Sequence, residues 1–143
     1  MRCYLCDQSK KNNMSERMNY STGAKWESIV GYSRAVRLGN IIEVSGTVAV
    51  DESGNPYSPG NGYEQTIKIF EIIKKSILAS GGTMEDVIRT RMFVTDISKW
   101  SEIGKAHGEI FHDIKPVTTM VEVSKLISPE YVVEIEATAI LKE

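Results

Sequence analysis

The spacing of apolar residues changes several times along the chain, and each change predicts the start of a new element. Residues 28–37 and 41–50 show the alternating pattern of strands, and Leu38-Gly39-Asn40 between them predicts a hairpin turn. In residues 41–50 the period of two predicts one buried face, formed by Ile42, Val44, Gly46, Val48 and Val50. We therefore expect the fold to begin with an antiparallel pair of strands.

Two later segments have the wider apolar spacing of helices. Residues 63–79 form the clearer case, because the apolar positions follow i, i+3, i+4 and i+8 at Ile69, Ile72, Ile73 and Ile77. Residues 99–112 predict a second helix, with Asp96 or Ser98 as its cap. Both patterns predict helices that bury one face and expose the other.

The remaining apolar segments predict three further strands. They cover residues 88–94, 118–124 and 131–141, with one more short strand expected near residues 56–57. Two helices cannot cover both faces of a six-strand sheet, so we expect them to pack on one face. The predicted fold is α+β, a two-layer α/β sandwich with a mixed six-strand sheet. Its second face then needs a partner, which favours self-association.

The N-terminal residues differ in character from the rest of the chain. Residues 1–25 have almost no apolar periodicity, so we expect a flexible extension followed by one domain over residues 26–143. Cys3 and Cys6 have the C-x-x-C spacing, but no second pair completes a four-ligand zinc site. The flanking sequence is also unlike that of a thioredoxin motif. We therefore predict no metal site there and two thiols in a loose leader.

Composition and charge narrow the class of protein. The 143 residues are 41% hydrophobic and 25% charged, which is typical of one globular domain. A net charge of −2 argues against a nucleic-acid partner. No apolar stretch approaches the ~18 residues of a membrane span, and the N-terminus lacks the apolar core of a secretory signal. We therefore expect a cytoplasmic protein with no membrane partner.

Five short motifs, taken together and in order, resemble a known family. They are Leu38-Gly39-Asn40 with Ser45-Gly46, Asp86-Val87, Phe93-Val94-Thr95-Asp96, Pro116 with Val121-Glu122-Val123, and Glu134-Ile135-Glu136-Ala137 with Ala139. Over residues 28–141 the chain resembles the Rid family, also called YjgF-like or L-PSP endoribonuclease-like. The resemblance implies a chorismate-mutase-like fold, a homotrimer with clefts between subunits, and hydrolysis of reactive enamines or imines without a cofactor.

The resemblance also implies roles for individual residues. In the family an arginine two residues after the proline binds the substrate carboxylate, and this chain has Thr118 at that place. The last-strand glutamate that positions water corresponds to Glu134, the first-strand aromatic to Tyr32, and the ligand-approaching glycine to Gly46. Gly104 and His107 replace an asparagine and a tyrosine of the second helix. These departures imply altered substrate specificity.

Further candidates follow from their positions beside these residues. His107 is a candidate for proton transfer, because a histidine titrates near neutrality. Arg34 lies two residues after Tyr32 on the same strand face and is a candidate replacement for the missing clamp. Thr118, Thr119 and Met120 are expected to line the substrate site. Each has a structural alternative: a surface histidine, an ion-paired arginine and ordinary strand residues.

Three hypotheses about function remain open. The first is a hydrolytic deaminase of the 2-iminobutanoate/2-iminopropanoate type, with Glu134 and His107 as its catalytic groups. The second is a trimer that binds a small metabolite or acts as a stress-related holdase, which the missing arginine favours. The third is RNA cleavage or translation inhibition, for which the acidic chain offers neither a basic stripe nor interleaved aromatic residues.

Overall fold

A single twisted sheet carries the long helices of the fold. The computed structural model describes residues 16–142. The strands are β1 (Arg17–Tyr20), β2 (Ala35–Leu38), β3 (Ile41–Thr47), β4 (Val87–Val94), β5 (Val117–Glu122) and β6 (Val133–Ile140). The helices are α1 (Lys25–Val30), α2 (Gly62–Ala79) and α3 (Trp100–Phe111), with 3-10 turns at Met84–Asp86 and Ile97–Lys99.

The order of the six strands is β1-β2-β3-β6-β4-β5. Only β4 and β5 run parallel, and every other neighbouring pair is antiparallel. The predicted hairpin is confirmed, since β2 pairs with β3 around the turn at Gly39 and Asn40. The predicted short strand is a single bridge between Val50 and Pro56. The mixed six-strand sheet is confirmed, but its sixth strand is β1 and not the short strand predicted near residues 56–57.

The core lies between the sheet and α2 and α3. Ile69, Ile73 and Ile77 of α2 are completely buried, as the helical spacing predicts. The alternation of β6 is confirmed too, because its core face is formed by Val133, Ile135, Ala137 and Ala139. Asn61 begins α2, since its side chain accepts a hydrogen bond from the Glu64 amide. The two-layer α+β class is thus confirmed.

The flexible extension predicted for residues 1–25 is wrong for its last part. Arg17–Tyr20 form the edge strand β1 and pair antiparallel with β2. This pairing depends on backbone hydrogen bonds, and only Tyr20 packs against the core. A short polar edge strand carries little apolar signal, which is why the pattern missed it. Cys3 and Cys6 lie outside the described residues.

The strand predicted over residues 28–37 is also wrong in its first half. Lys25–Val30 form the short helix α1, which ends where Gly31 adopts a left-handed conformation with a φ of 82°. Glycine has no Cβ and therefore takes this conformation without steric cost. The strand itself begins only at Ala35. After this turn Arg34 bonds to β3, since its carbonyl accepts from the Ser45 amide and its side chain donates to the Gly46 carbonyl.

An irregularity in β3 changes the predicted burial of residues 41–50. Val44 pairs with Ala137, but Thr47 pairs with Ile135, so three steps along β3 match two along β6. This bulge shifts the alternation, and Thr47 and Ala49 are buried in place of the predicted Gly46 and Val48. The prediction of a single face through Val50 is therefore wrong after Val44.

The face of the sheet away from α2 and α3 mixes apolar and charged side chains. Arg91 and Glu136 form an ion pair there, and Thr138 donates a hydrogen bond to Glu43 at 2.8 Å. Between these polar groups lie exposed apolar residues: Leu38, Ile41, Val117, Val121 and Ile140. A surface of this kind is typical of a face that a partner covers.

Candidate functional site

The bulge brings Gly46 against the side chain of Glu134. A Cβ atom on residue 46 would overlap Oε1 of Glu134, so no other residue type leaves this carboxylate where it is. Glu134 lies on β6 opposite Phe93 of β4, and it is partly buried. The backbone at Gly46 therefore forms one wall of a small site around the carboxylate.

Arg34 forms a second wall of the same site. Its Nη2 donates a hydrogen bond of 2.6 Å to the carbonyl oxygen of Gly46. Its guanidinium also lies 6.0 Å from the centre of the Tyr32 ring, within cation–π range. Among residues 16–142, nothing accepts a hydrogen bond from its buried Nε atom. We call Tyr32, Arg34, Gly46 and Glu134 the acidic half-site.

The charges of this half-site act on each other. Burial raises the pKa of Glu134, Arg34 opposes that rise, and Glu136 adds to it. Burial lowers the pKa of Arg34, while Tyr32, Glu27 and Glu134 oppose that fall. An arginine remains protonated at neutral pH even so. The arrangement is a fixed cation beside a carboxylate whose proton affinity is increased.

Glu27 is a buried carboxylate that the sequence patterns did not single out. It is 6% exposed and accepts hydrogen bonds from the Ser21 hydroxyl and from the Thr22 amide and hydroxyl. Burial alone would raise the pKa of Glu27, but these hydrogen bonds and the charge of Arg34 leave it lowered. The sequence signal that could have identified Glu27 is the Ser-Thr pair just before a short helical segment. This pair lies within residues predicted to be flexible. The charge of Arg34 thus interacts with the carboxylates of both Glu27 and Glu134.

His107, Thr90 and Thr118 form a separate cluster on the helix side of the sheet. His107 Nε2 lies 2.9 Å from Thr90 Oγ1, and the Thr90 hydroxyl donates to Thr118 Oγ1 at 2.8 Å. The imidazole packs against Phe70 and Phe111, with ring centres 5.6 and 4.7 Å away. Burial lowers the pKa of His107. We call His107, Thr90 and Thr118 the threonine half-site.

A shallow depression lies beside the threonine half-site. Its volume is about 350 Å³, and its lining residues are His107, Gly108, Phe111, His112, Lys115 and Pro116. Lys115 has a φ of 54°, a conformation that residues with a Cβ rarely adopt. The depression gives a small molecule access to the exposed edge of the imidazole.

The two half-sites of one chain lie on opposite faces of the sheet. Thr90 pairs with the buried Ala137, whereas Glu134 is three residues from Ala137 and therefore points the other way. Thr118 and Met120 share the helix side, and Met120 packs against the core. Thr119 faces the opposite side. The structure therefore does not bring Glu134 and His107 together within one chain.

The part of the chain that the structure describes contains neither a cluster of metal ligands nor a membrane-spanning helix. Within residues 16–142, no three His, Cys, Asp or Glu side chains are grouped so that they could hold a metal ion. The helices of the same part of the chain lack the length and apolar composition needed to cross a bilayer.

Replacement of Gly46 by alanine tests the approach of Glu134 to the backbone. We expect Gly46→Ala to lower the free energy of unfolding by about 1 kcal/mol, because the new Cβ meets the flexible end of the Glu134 side chain and forces the carboxylate aside. Gly104→Ala is the matched control. Nothing lies within 4 Å of a Cβ there, so it should stabilise α3 by about 0.5–1 kcal/mol. Urea unfolding measures both, and equal effects would contradict the geometry.

Comparisons with known proteins agree with the fold. Residues 22–141 match the family described as Endoribonuclease L-PSP. The structure of Rv2704 from Mycobacterium tuberculosis, a member of the YjgF/YER057c/UK114 family, shares 43% identity with a TM-score of 0.80, covering 88% of this chain and 100% of that one. Protein SCO2049 of Streptomyces coelicolor is 35% identical over 118 residues, 82% of this chain and 87% of the relative. The RutC family protein PYRAB12510 of Pyrococcus abyssi is 31% identical over 108 residues, 76% and 84% of the two.

Proposed function

This chain belongs to the endoribonuclease L-PSP family, the Rid or YjgF-like family that its motifs resemble, and we propose that it hydrolyses a small reactive enamine or imine without a cofactor. The observation that carries the proposal is the acidic half-site. There Glu134 lies against Gly46 and beside the cation of Arg34. A carboxylate with a raised pKa, held next to a fixed positive charge, is suited to accept a proton from water.

The proposed reaction balances with water alone. Water adds to the carbon of the C=N bond while Glu134 accepts one of its protons. Glu134 returns this proton to the nitrogen, which gives a neutral carbinolamine. Glu134 then moves the proton of the carbinolamine hydroxyl to the nitrogen, so the C–N bond breaks, ammonia leaves and a C=O bond replaces the C=N bond. Arg34 opposes the rise in the pKa of Glu134 that burial causes, and it donates a hydrogen bond to the Gly46 carbonyl. The expected products are a 2-oxo compound and ammonia.

We place the substrate between two copies of the chain in a homotrimer. The exposed apolar residues of the open sheet face support self-association. Because the acidic and threonine half-sites lie on opposite faces of one sheet, an adjacent copy is needed to bring one of each together. Thr118 occupies the place of the family arginine, so we expect specificity to differ from that of enzymes with a carboxylate clamp.

Hydrolysis of imines made in the reaction vessel tests this function. An amino-acid oxidase acting on alanine or 2-aminobutyrate generates 2-iminopropionate or 2-iminobutyrate. We expect the full chain to accelerate 2-oxo acid and ammonia release in proportion to its concentration, with a high KM because no arginine clamps the carboxylate. Bovine serum albumin at equal concentration is the control. A rate that equals spontaneous hydrolysis for both imines would contradict the proposal.

A binding protein without chemistry is the second candidate. The observation that favours it is Thr118, since a threonine supplies neither the charge nor the fork of the family arginine. This candidate predicts that small ligands bind the trimer and that Glu134→Gln leaves their affinity unchanged with no turnover by either protein. RNA cleavage has less support, because the net charge is −2.

A further inference from the structure

Thr118 is the outer end of a hydrogen-bond chain that begins at His107. The Thr90 hydroxyl donates to Thr118 Oγ1 at 2.8 Å and lies 2.9 Å from His107 Nε2. Thr90 is completely buried, whereas Thr118 lies on the exposed edge strand β5. A half-buried histidine is thus linked through one buried hydroxyl to a hydroxyl that a ligand can reach.

The proton of the Thr90 hydroxyl sets the direction of this chain. With that proton on the bond to Thr118, His107 donates from Nε2 to Thr90, and the imidazole proton lies on Nε2. The reverse direction would place the imidazole proton on Nδ1, so the tautomer of His107 distinguishes the two directions. The Thr118 hydroxyl already accepts a bond, so its own proton is free for an outside acceptor. Bonds aligned in one direction polarise each other and strengthen the last donor.

We propose that Thr118 binds an uncharged oxygen acceptor, such as a carboxamide or ester carbonyl, where related enzymes bind a carboxylate. Thr90 and His107 are its positioning residues, because they orient the Thr118 hydroxyl without touching the ligand. The group bound at Thr118 defines the class of substrate that the site accepts. This inference rests on the proposed function only for the hydrolysis at the other end of the substrate.

The surrounding charges favour an uncharged group over a carboxylate. On the opposite face of the sheet, Arg34 interacts with the carboxylates of Glu27 and Glu134, and Arg91 is paired with Glu136. A carboxylate bound at Thr118 would lose its hydrating water and gain only the hydrogen bond of a hydroxyl. It would have no guanidinium opposite it to compensate for its charge. Lys115 is a cation that lines the depression next to His107. It is therefore the residue that a control must remove.

The tautomer of His107 is the first test. Two-dimensional NMR of 15N-histidine protein distinguishes a proton on Nε2 from one on Nδ1. We expect His107 to be neutral at pH 7 with its proton on Nε2, and Thr90→Val to abolish that preference. A proton on Nδ1 would reverse the direction of the chain and overturn the proposal. This readout is independent of catalysis.

Binding of pyruvamide and pyruvate is the second test, because the two probes differ only in carboxamide against carboxylate. We expect pyruvamide to bind the wild-type chain at least about tenfold more tightly. Thr118→Val should weaken it about fivefold, the value of one neutral hydrogen bond, and Thr118→Ser should keep it. Thr118→Arg should reverse the preference in favour of pyruvate.

Lys115→Met is the matched control. It should leave the preference for pyruvamide unchanged, and a lost or reversed preference would assign recognition to the lysine. Tighter binding of pyruvate by the wild-type chain, or saturation by neither probe, would overturn the proposal. Pyruvamide binding without any imine hydrolysis would instead contradict the proposed reaction and support uncharged recognition.

Discussion

Glu134→Gln is expected to slow imine hydrolysis by about 100-fold or more, the usual contribution of a general base. The amide matches the carboxylate in size, so it still fits against Gly46, but it accepts no proton from water. The rate of 2-oxo acid release measures the effect. An unchanged urea midpoint would show that chemistry is lost and the fold is kept. A Glu134→Gln rate within about threefold of wild type would remove Glu134 from the reaction.

The pH dependence gives the same residue a second signature. The base form of Glu134 is required, and burial raises its pKa above the usual carboxyl range. The wild-type kcat/KM should therefore fall as the pH decreases through that raised pKa, and Glu134→Gln should lack this limb. Glu136→Gln is the control. It removes a like charge that helps to raise the pKa, so its acid limb should move to lower pH with activity retained.

Gln65→Leu is expected to lower the free energy of unfolding by about 3–5 kcal/mol. Gln65 is fully buried in α2, and its side chain donates to the carbonyls of Ser58 and Glu130 at 3.2 and 2.8 Å. It also accepts from the Val132 amide at 2.9 Å. Leucine would leave these backbone groups without partners, and each unsatisfied buried group costs about 1–3 kcal/mol.

Urea unfolding with a constant m-value measures this loss, and Thr66→Val is its control. Thr66 is equally buried, but its hydroxyl only bonds back to the Gly62 carbonyl within α2. We therefore expect Thr66→Val to cost about 1 kcal/mol or less. A Gln65→Leu cost no larger than that of Thr66→Val would show that Gln65 does not hold the segment leading into β6.

The elements that local periodicity determines were predictable from the sequence. The isoleucines of α2 and the alternation of β6 are strong signals because burial acts on every third or fourth residue of a helix and every second residue of a strand. β1 escaped prediction because its pairing with β2 depends on distant backbone groups. The bulge near Gly46 depends on the register between β3 and β6, which no single strand encodes.

Residues of the candidate site were predictable from the sequence, but their separation into two half-sites was not. Motif resemblance pointed to Glu134, Gly46 and Tyr32, and the structure places them around Arg34. Glu27 was missed, since its partners Ser21 and Thr22 lie in a segment without apolar pattern. The separation of His107 from Glu134 depends on which sheet face each side chain takes. That separation is the physical reason to expect a site shared between subunits.

Mixing two inactive variants tests most directly whether the site is shared between subunits. Glu134→Gln removes the acidic half-site, and Thr118→Trp fills the threonine half-site. If each cleft takes one half-site from each of two neighbouring subunits, co-refolding equal amounts of the two variants gives random trimers. About a quarter of their clefts then combine two intact half-sites, so about a quarter of the wild-type activity should return. Neither variant refolded alone should recover. Mixed trimers, verified by mass, that remain as inactive as the separate variants would contradict the account.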